Sequence, residues 1–217
     1  MRPPKFRWAC ICFFVLLPFR SLGAELKLAT WNLEWLTTSD RDLPADVRPK
    51  RAEDIDRLHQ YAAELDADVI AIQEVDGPAI AARVFPSDRY SIHMSHDNVV
   101  QRVGIVVRRG IHYAVNPDLT GLDVGRAERL RSGVDVTLRT DPPLRVLAVH
   151  LKTGCFDERL NSRLRPACAE LHQQVPPMLD WIRAARPRAW HSQYWGISIV
   201  TWMGGMNCGP RCARPHR

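Results

Sequence analysis

From residue 25 onward, short apolar runs alternate with segments of helical spacing, which predicts an α/β fold rather than a helical bundle. Residues 26–32 alternate apolar and polar positions, as a strand does. Residues 51–65 place Ile55, Leu58, Ala62 and Leu65 at helical spacing with acids early in the segment, the pattern of an amphipathic helix. Residues 69–73 read as a second, buried strand. Further strands are expected over 89–94, 103–108, 134–139 and 144–151, several separated by turn residues such as Gly110 and Asp141-Pro142-Pro143. A last helix is expected over 164–175, with Pro176-Pro177 interrupting or restarting it before Trp181. The chain carries no internal repeat and no low-complexity segment.

Composition narrows this picture. A length of 217 residues suits one domain of ordinary size, and 46% hydrophobic residues exclude a wholly disordered chain. The formal charge of +6 invites a nucleic-acid-binding reading, but its distribution removes that argument. Residues 1–24 hold four basic residues and no acid, and residues 181–217 hold six arginines and no acid. Residues 25–180 hold 20 basic and 24 acidic residues, a net of −4. The positive charge therefore lies in the two ends, and the middle is mildly acidic.

The first 24 residues have the order of a secretory signal peptide. Arg2, Lys5 and Arg7 precede an apolar run over 8–19, and the small residues Ser21, Gly23 and Ala24 follow, which predicts cleavage after Gly23 or Ala24. The 12-residue run falls short of the roughly 20 needed to span a bilayer, so the mature chain is expected to have no transmembrane helix and to be exported, periplasmic or secreted. Cys10 and Cys12 would leave with this segment. Of the four cysteines that remain, Cys155 and Cys168 bracket a short polar segment, where a disulfide would pin the loop after a strand to the following helix. Two unpaired thiols are the other reading. Zinc held by all four is not expected, because no CxxC pair exists.

Three polar side chains stand at the ends of otherwise apolar strands: Asn32, Glu74 and His150. A strand end is where a side chain can leave the packed core and face a cleft. Taken singly, each has an ordinary reading: a turn cap, a solvated carboxylate, a hydrogen-bonded core histidine.

With their flanks, the three resemble the endonuclease/exonuclease/phosphatase superfamily, which includes the DNase I-like nucleases. The segments that carry the resemblance are Thr30-Trp31-Asn32-Leu33-Glu34, the run from Asp68 through Gln73-Glu74-Val75, Val103-Gly104-Ile105-Val106-Val107 and Val149-His150-Leu151-Lys152. It covers about residues 26–185 in the expected order and spacing. The resemblance implies a four-layer α/β sandwich of two β-sheets flanked by helices, here incomplete at the C-terminus. It also implies a metal-dependent phosphoesterase, acting as a monomer on a phosphate-ester substrate, with nucleic acid the leading class.

The resemblance assigns roles residue by residue. Glu74 becomes the carboxylate that holds a divalent metal, Mg²⁺ or Mn²⁺, since a hard oxygen donor suits such a cation and the cation neutralises charge building on the phosphate. Asn32 would hydrogen-bond near metal and phosphate. Glu34, two residues on and on the same face of a strand, would be a second metal-side carboxylate. His150 would stand beside the scissile phosphate as a charge-stabilising donor or acid. Arg102, just before a strand, resembles a phosphate-contacting arginine.

The family pattern continues with a Gly-Asp-x-Asn strand end and a Ser-Asp-His motif near the C-terminus, and neither occurs in this chain. After about residue 186 the text changes character, with three of the seven tryptophans and no acid. Back-translated with permitted codons, residues 195–203 give a string that, read two bases later, encodes Gly-Asp-Phe-Asn-Arg-His-Leu-Asp. The absent motif is thus encodable in another frame at about the place the family would put it. The domain reading is a leader over 1–24, a partial family domain over 25–186 and an out-of-frame tail over 187–217. The expected consequences are a missing strand in the second sheet, weak folding and little or no activity. Two rivals stay open: a non-catalytic exported protein whose basic tail holds anions, and a phosphatase of lipid or small phosphate esters.

Overall fold

The computed structural model describes residues 25–124, 130–161 and 165–185, together with the backbone of 196–201. The leader over 1–24 and the remainder of the tail over 187–217 lie outside the described residues. Eight strands form two four-stranded sheets. The first sheet holds β1 (Leu28–Leu36), β2 (Val69–Val75), β3 (Tyr90–Met94) and β4 (Arg102–Arg108) in the order β1-β2-β4-β3, with β1 parallel to β2 and the other pairs antiparallel. The second holds β5 (Tyr113–Val115), β6 (Val134–Leu138), β7 (Leu144–Val149) and β8 (Gly196–Thr201) in sequential order, β8 parallel to β7.

The period-two alternation of each strand sorts its side chains into three apolar layers. On the first sheet, Val69 and Ala71 of β2 and Val103 and Ile105 of β4 face the second sheet, where they meet Val134, Val136, Val146 and Ala148. Ile70 and Ile72 face the other way, under α1 (Ala52–Leu65) and α2 (Pro78–Val84), and pack with Ile55, Ala62, Val84 and Phe85. On β7, Val146 and Ala148 point inward, while Leu147 and Val149 point outward under α3 (Pro166–Ala185), against Leu171 and Trp181. The result is the expected four-layer order of helix, sheet, sheet, helix.

A buried carboxylate ties α3 to its sheet. Asp135, 1% exposed, accepts hydrogen bonds from Arg145 (Nη2 2.5 Å), Asn116 (Nδ2 2.9 Å) and the Trp181 indole (Nε1 2.7 Å). A charge so placed is tolerated because its acceptor sites are filled by donors, one of them a cation.

Three features depart from the sequence reading. The last helix runs unbroken through Pro176-Pro177. The two prolines withhold N–H groups from His172 and Gln173, which are exposed, so water can satisfy the carbonyls left over. The helix is anchored on either side, by Trp181 and by Gln174, whose side chain accepts from the Lys152 N–H and donates to the Leu122 carbonyl (both 2.8 Å). Second, α2 and β5 were not legible as elements; α2 begins with Pro78 in its first turn after Gly77, a favoured start for a helix. Third, a strand occupies the outer position beside β7 where one was expected to be lost. Its alternating, β-branched run of Ile197, Ile199, Val200 and Thr201 suits a strand whatever its origin.

Candidate active site

Asn32 and Glu74 come from neighbouring strands of the first sheet, and both strands are irregular where these residues sit. The β1–β2 register runs evenly from Leu28↔Val69 to Asn32↔Gln73 and then shifts, so that Leu36 pairs with Val75. The β2–β4 register also shifts between Gln73 and Val75. Glu74 has φ +62°, and Glu34 and Trp35 have φ +49° and +57°, left-handed values that non-glycine residues seldom adopt. On an unbroken pleat Glu74 would follow Ile70 and Ile72 toward the helices. The bulge re-aims it. Its Oε1 accepts from Asn32 Nδ2 at 2.8 Å and its Oε2 from the Trp35 N–H at 3.2 Å.

The second sheet supplies the opposing wall. His150 continues the inward alternation of Val146 and Ala148 one step past the end of β7. Its Nε2 lies 3.6 Å from Glu74 Oε1. Its Nδ1 lies 3.1 Å from Arg131 Nη1, and because a guanidinium can only donate, Nδ1 accepts and the ring proton sits on Nε2, facing Glu74. Burial, and then the Arg131 cation, push the His150 pKa down to about 3. Below its usual range and neutral, His150 is a hydrogen-bond donor here; the acid role suggested by the sequence does not fit this environment.

Arg131 was not singled out in the sequence. It stands just before β6, 8% exposed, with Gln101 Oε1 3.5 Å from Nη1. Burial lowers its pKa, opposed by the carboxylates of Glu74, Asp97 and Asp123. Asp97 grips the next residue, accepting from the Ser132 N–H (2.9 Å) and hydroxyl (2.8 Å), and so fixes the approach to β6. The available signal was an arginine directly ahead of an alternating strand, a feature that Arg102 shares.

Arg102 and Glu34 are not brought into this constellation. Arg102 begins β4 opposite Val75, donates from Nε to the Val99 carbonyl at 3.2 Å and lays its guanidinium over Gly77, where a Cβ would meet Nη2 at 3.3 Å. The expectation that Glu34 shares a face with Asn32 assumed an unbroken strand. The bulge ends that relation: Glu34 is exposed and lines a groove on the α1 side of Asn32, with its N–H donating to Asn32 Oδ1 at 2.7 Å. The disulfide is formed as expected, Cys155 to Cys168, joining the segment after His150 to the first turn of α3.

Among the described residues no group of three or more His, Cys, Asp or Glu side chains could enclose a metal ion. Glu74 by itself fits a hard cation of the Mg²⁺ kind, which commonly keeps several waters and takes one or two carboxylates plus substrate phosphate. Each Glu74 oxygen accepts one hydrogen bond and retains a lone pair for a cation.

Two packed sheets with a carboxylate, an amide and a histidine converging at their strand ends define a phosphoesterase-type α/β sandwich. The chain matches the profile of the Endonuclease/Exonuclease/phosphatase family over residues 29–211, and it belongs to that family. Among solved structures it is similar to ANGEL2, described as a 2′,3′-cyclic phosphatase (14% identity, TM-score 0.51, 81% of this chain and 52% of that one). It is also similar to an endonuclease/exonuclease/phosphatase from Bacteroides vulgatus (10% identity, TM-score 0.50, 84% and 67%) and to TDP2 from C. elegans (17% identity, TM-score 0.50, 76% and 45%). At these identities the likeness is one of fold. The chain spans 61% of the humanized D. rerio TDP2 that it also matches. No curated protein sequence matches it.

Proposed function

We propose that this chain derives from an exported, divalent-metal-dependent phosphodiesterase with nucleic acid as its substrate class, and that in its present form it turns over slowly or not at all. The observation that carries the reading is the convergence of Asn32 and Glu74 from one sheet with His150 and Arg131 from the other. Glu74 holds the cation, which when bound neutralises charge on the phosphate oxygens. Asn32 orients the Glu74 carboxylate. His150 offers a neutral Nε2–H donor toward the phosphate, preorganised by Arg131 on its other nitrogen. Arg131 adds fixed positive charge beside the anionic substrate.

The sequence lacks both the Gly-Asp-x-Asn and the Ser-Asp-His motif, whose aspartates would activate water and support the leaving group. That supports the impairment. The basic-apolar-small order of residues 1–24 and the Cys155–Cys168 pairing support export to an oxidising compartment. No helix among the described residues is long and apolar enough to cross a membrane.

The test has two arms. Thermal melting with and without Mg²⁺ should show stabilisation of the chain that disappears in Glu74→Gln; stabilisation that survives the substitution removes Glu74 as the metal carboxylate. Hydrolysis of bis(4-nitrophenyl) phosphate should stay at background. Robust Mg²⁺-dependent turnover that Glu74→Ala abolishes would overturn the impairment while keeping the reaction class.

A further inference from the structure

A groove of about 590 Å³ runs alongside the site, sharing Asn32 as part of its wall. One side is the end of β1, from Trp31 to Glu34; the other is the start of α1, with Asp54, Arg57 and Leu58; the connecting residues are Arg48, Pro49, Lys50 and Arg51. The connection is fixed in place, because the Lys50 N–H donates to the Thr37 carbonyl at 2.8 Å, just past the end of β1.

The lining charge is lopsided: four cations against Glu34 and Asp54. Arg51 is taken up by Glu53 and Asp54. Arg48 donates from Nη1 to the Ala45 carbonyl at 2.9 Å, which leaves its charge uncompensated. Arg48 and Lys50 thus line the groove without a carboxylate partner among the described residues, and Arg57 shares Asp54 with Arg51, in a stretch, residues 25–180, whose net charge is −4. General basicity does not explain the cluster.

We propose that this groove is the track for the flanking phosphates of a nucleic-acid strand whose scissile phosphodiester lies at Glu74 and His150; the proposal rests on the phosphodiesterase reading of that site. A small phosphate ester carries its charge at the reacting centre and leaves the groove cations without a partner. A strand supplies one anion per nucleotide, spaced along a line that continues past Asn32. The partly exposed apolar surfaces of Trp31 and Leu58 accommodate the sugars between those anions.

Fluorescence anisotropy of a labelled single-stranded 12-mer, titrated with the full chain at several salt concentrations, tests this. The triple variant Arg48→Gln/Lys50→Gln/Arg57→Gln should bind at least about tenfold more weakly at low salt, and the slope of log K against log salt should fall by about 2, at roughly 0.7 per phosphate neutralised on a single strand. A control variant, Arg83→Gln/Arg139→Gln/Arg183→Gln, removes three exposed cations elsewhere and should leave the slope within about one cation's worth of the parent. The inference is overturned if the parent chain does not bind, if the groove variant keeps the parent slope because the C-terminal arginines hold the strand, or if the control loses as much. Melting curves of both variants check that the fold is intact. The Mg²⁺ response of Glu74→Gln is measured separately, so a strand effect without a Glu74-dependent metal response retains the groove and rejects the catalytic reading, and the reverse outcome rejects the groove.

Discussion

Glu74 is held in a backbone conformation that costs a non-glycine residue on the order of 1–3 kcal/mol, and the hydrogen bonds from Asn32 Nδ2 and the Trp35 N–H offset it. Its neighbour His150 carries a different cost, one that depends on pH. An imidazole whose folded pKa is depressed to about 3 binds no proton in the folded chain over a range where the unfolded chain, near 6.5, does. The stabilisation associated with neutral His150 is therefore complete above pH 6.5 and is lost as pH falls from 6.5 toward 3, at up to about 1.4 kcal/mol per pH unit for one proton. His93, also lowered by burial, acts in the same direction; the exposed His96, raised by its hydrogen bond to Asp118, opposes them. Urea denaturation between pH 7.5 and 4.5 should show the parent losing stability steadily and His150→Gln losing it with a shallower slope. Equal slopes would mean that the His150 pKa is not depressed in the folded chain.

At the scale of elements, the segment after His150 and the start of α3 are joined by the Cys155–Cys168 disulfide, with a sequence separation of 13. A ring of that size restricts the unfolded chain by roughly 3 kcal/mol. Replacing both cysteines with serine should lower unfolding stability by about 2–4 kcal/mol, and dithiothreitol should weaken the parent but not the variant; an unchanged urea midpoint would show the thiols unpaired in solution. The bridge, the long strands and α1 were all legible, because alternation, helical spacing and cysteine position are local properties of the text. The bulges were not. Glu74 and Glu34 are ordinary non-glycine residues at left-handed positions, and only contacts made across strands hold them there. Arg131 escaped notice for a related reason: nothing beside it in sequence distinguishes it from Arg102, and its role comes from His150, 19 residues away. The unbroken α3 likewise depends on anchors, Gln174 and Trp181, whose partners lie in other elements.

At the scale of the whole molecule, the open question is the outer edge of the second sheet. Strand β8 ends with Thr201 beside Val149, one residue before His150. The family places Gly-Asp-x-Asn at such a strand end, and the alternate frame of this stretch can encode Gly-Asp-Phe-Asn, preceded by codons for an apolar strand. A strand read in that frame would compete for the same edge of β7 and would carry an aspartate and an asparagine at its end. The frame is accordingly expected to slip between about residues 184 and 190, and the DNA of the locus decides it: absence of Asp-Phe-Asn codons downstream of residue 186 in the alternate frame would sink the idea. If the codons are there, a gene restored to that frame should yield Mg²⁺-dependent hydrolysis of bis(4-nitrophenyl) phosphate at least about 10³-fold above the present chain, the scale of losing a water-activating carboxylate together with its hydrogen-bonding partner. The restored protein should also unfold at higher urea, because a cognate strand would then replace β8 on the edge of β7. A restored chain no more active than this one would place the defect in the Asn32–Glu74–His150–Arg131 constellation itself.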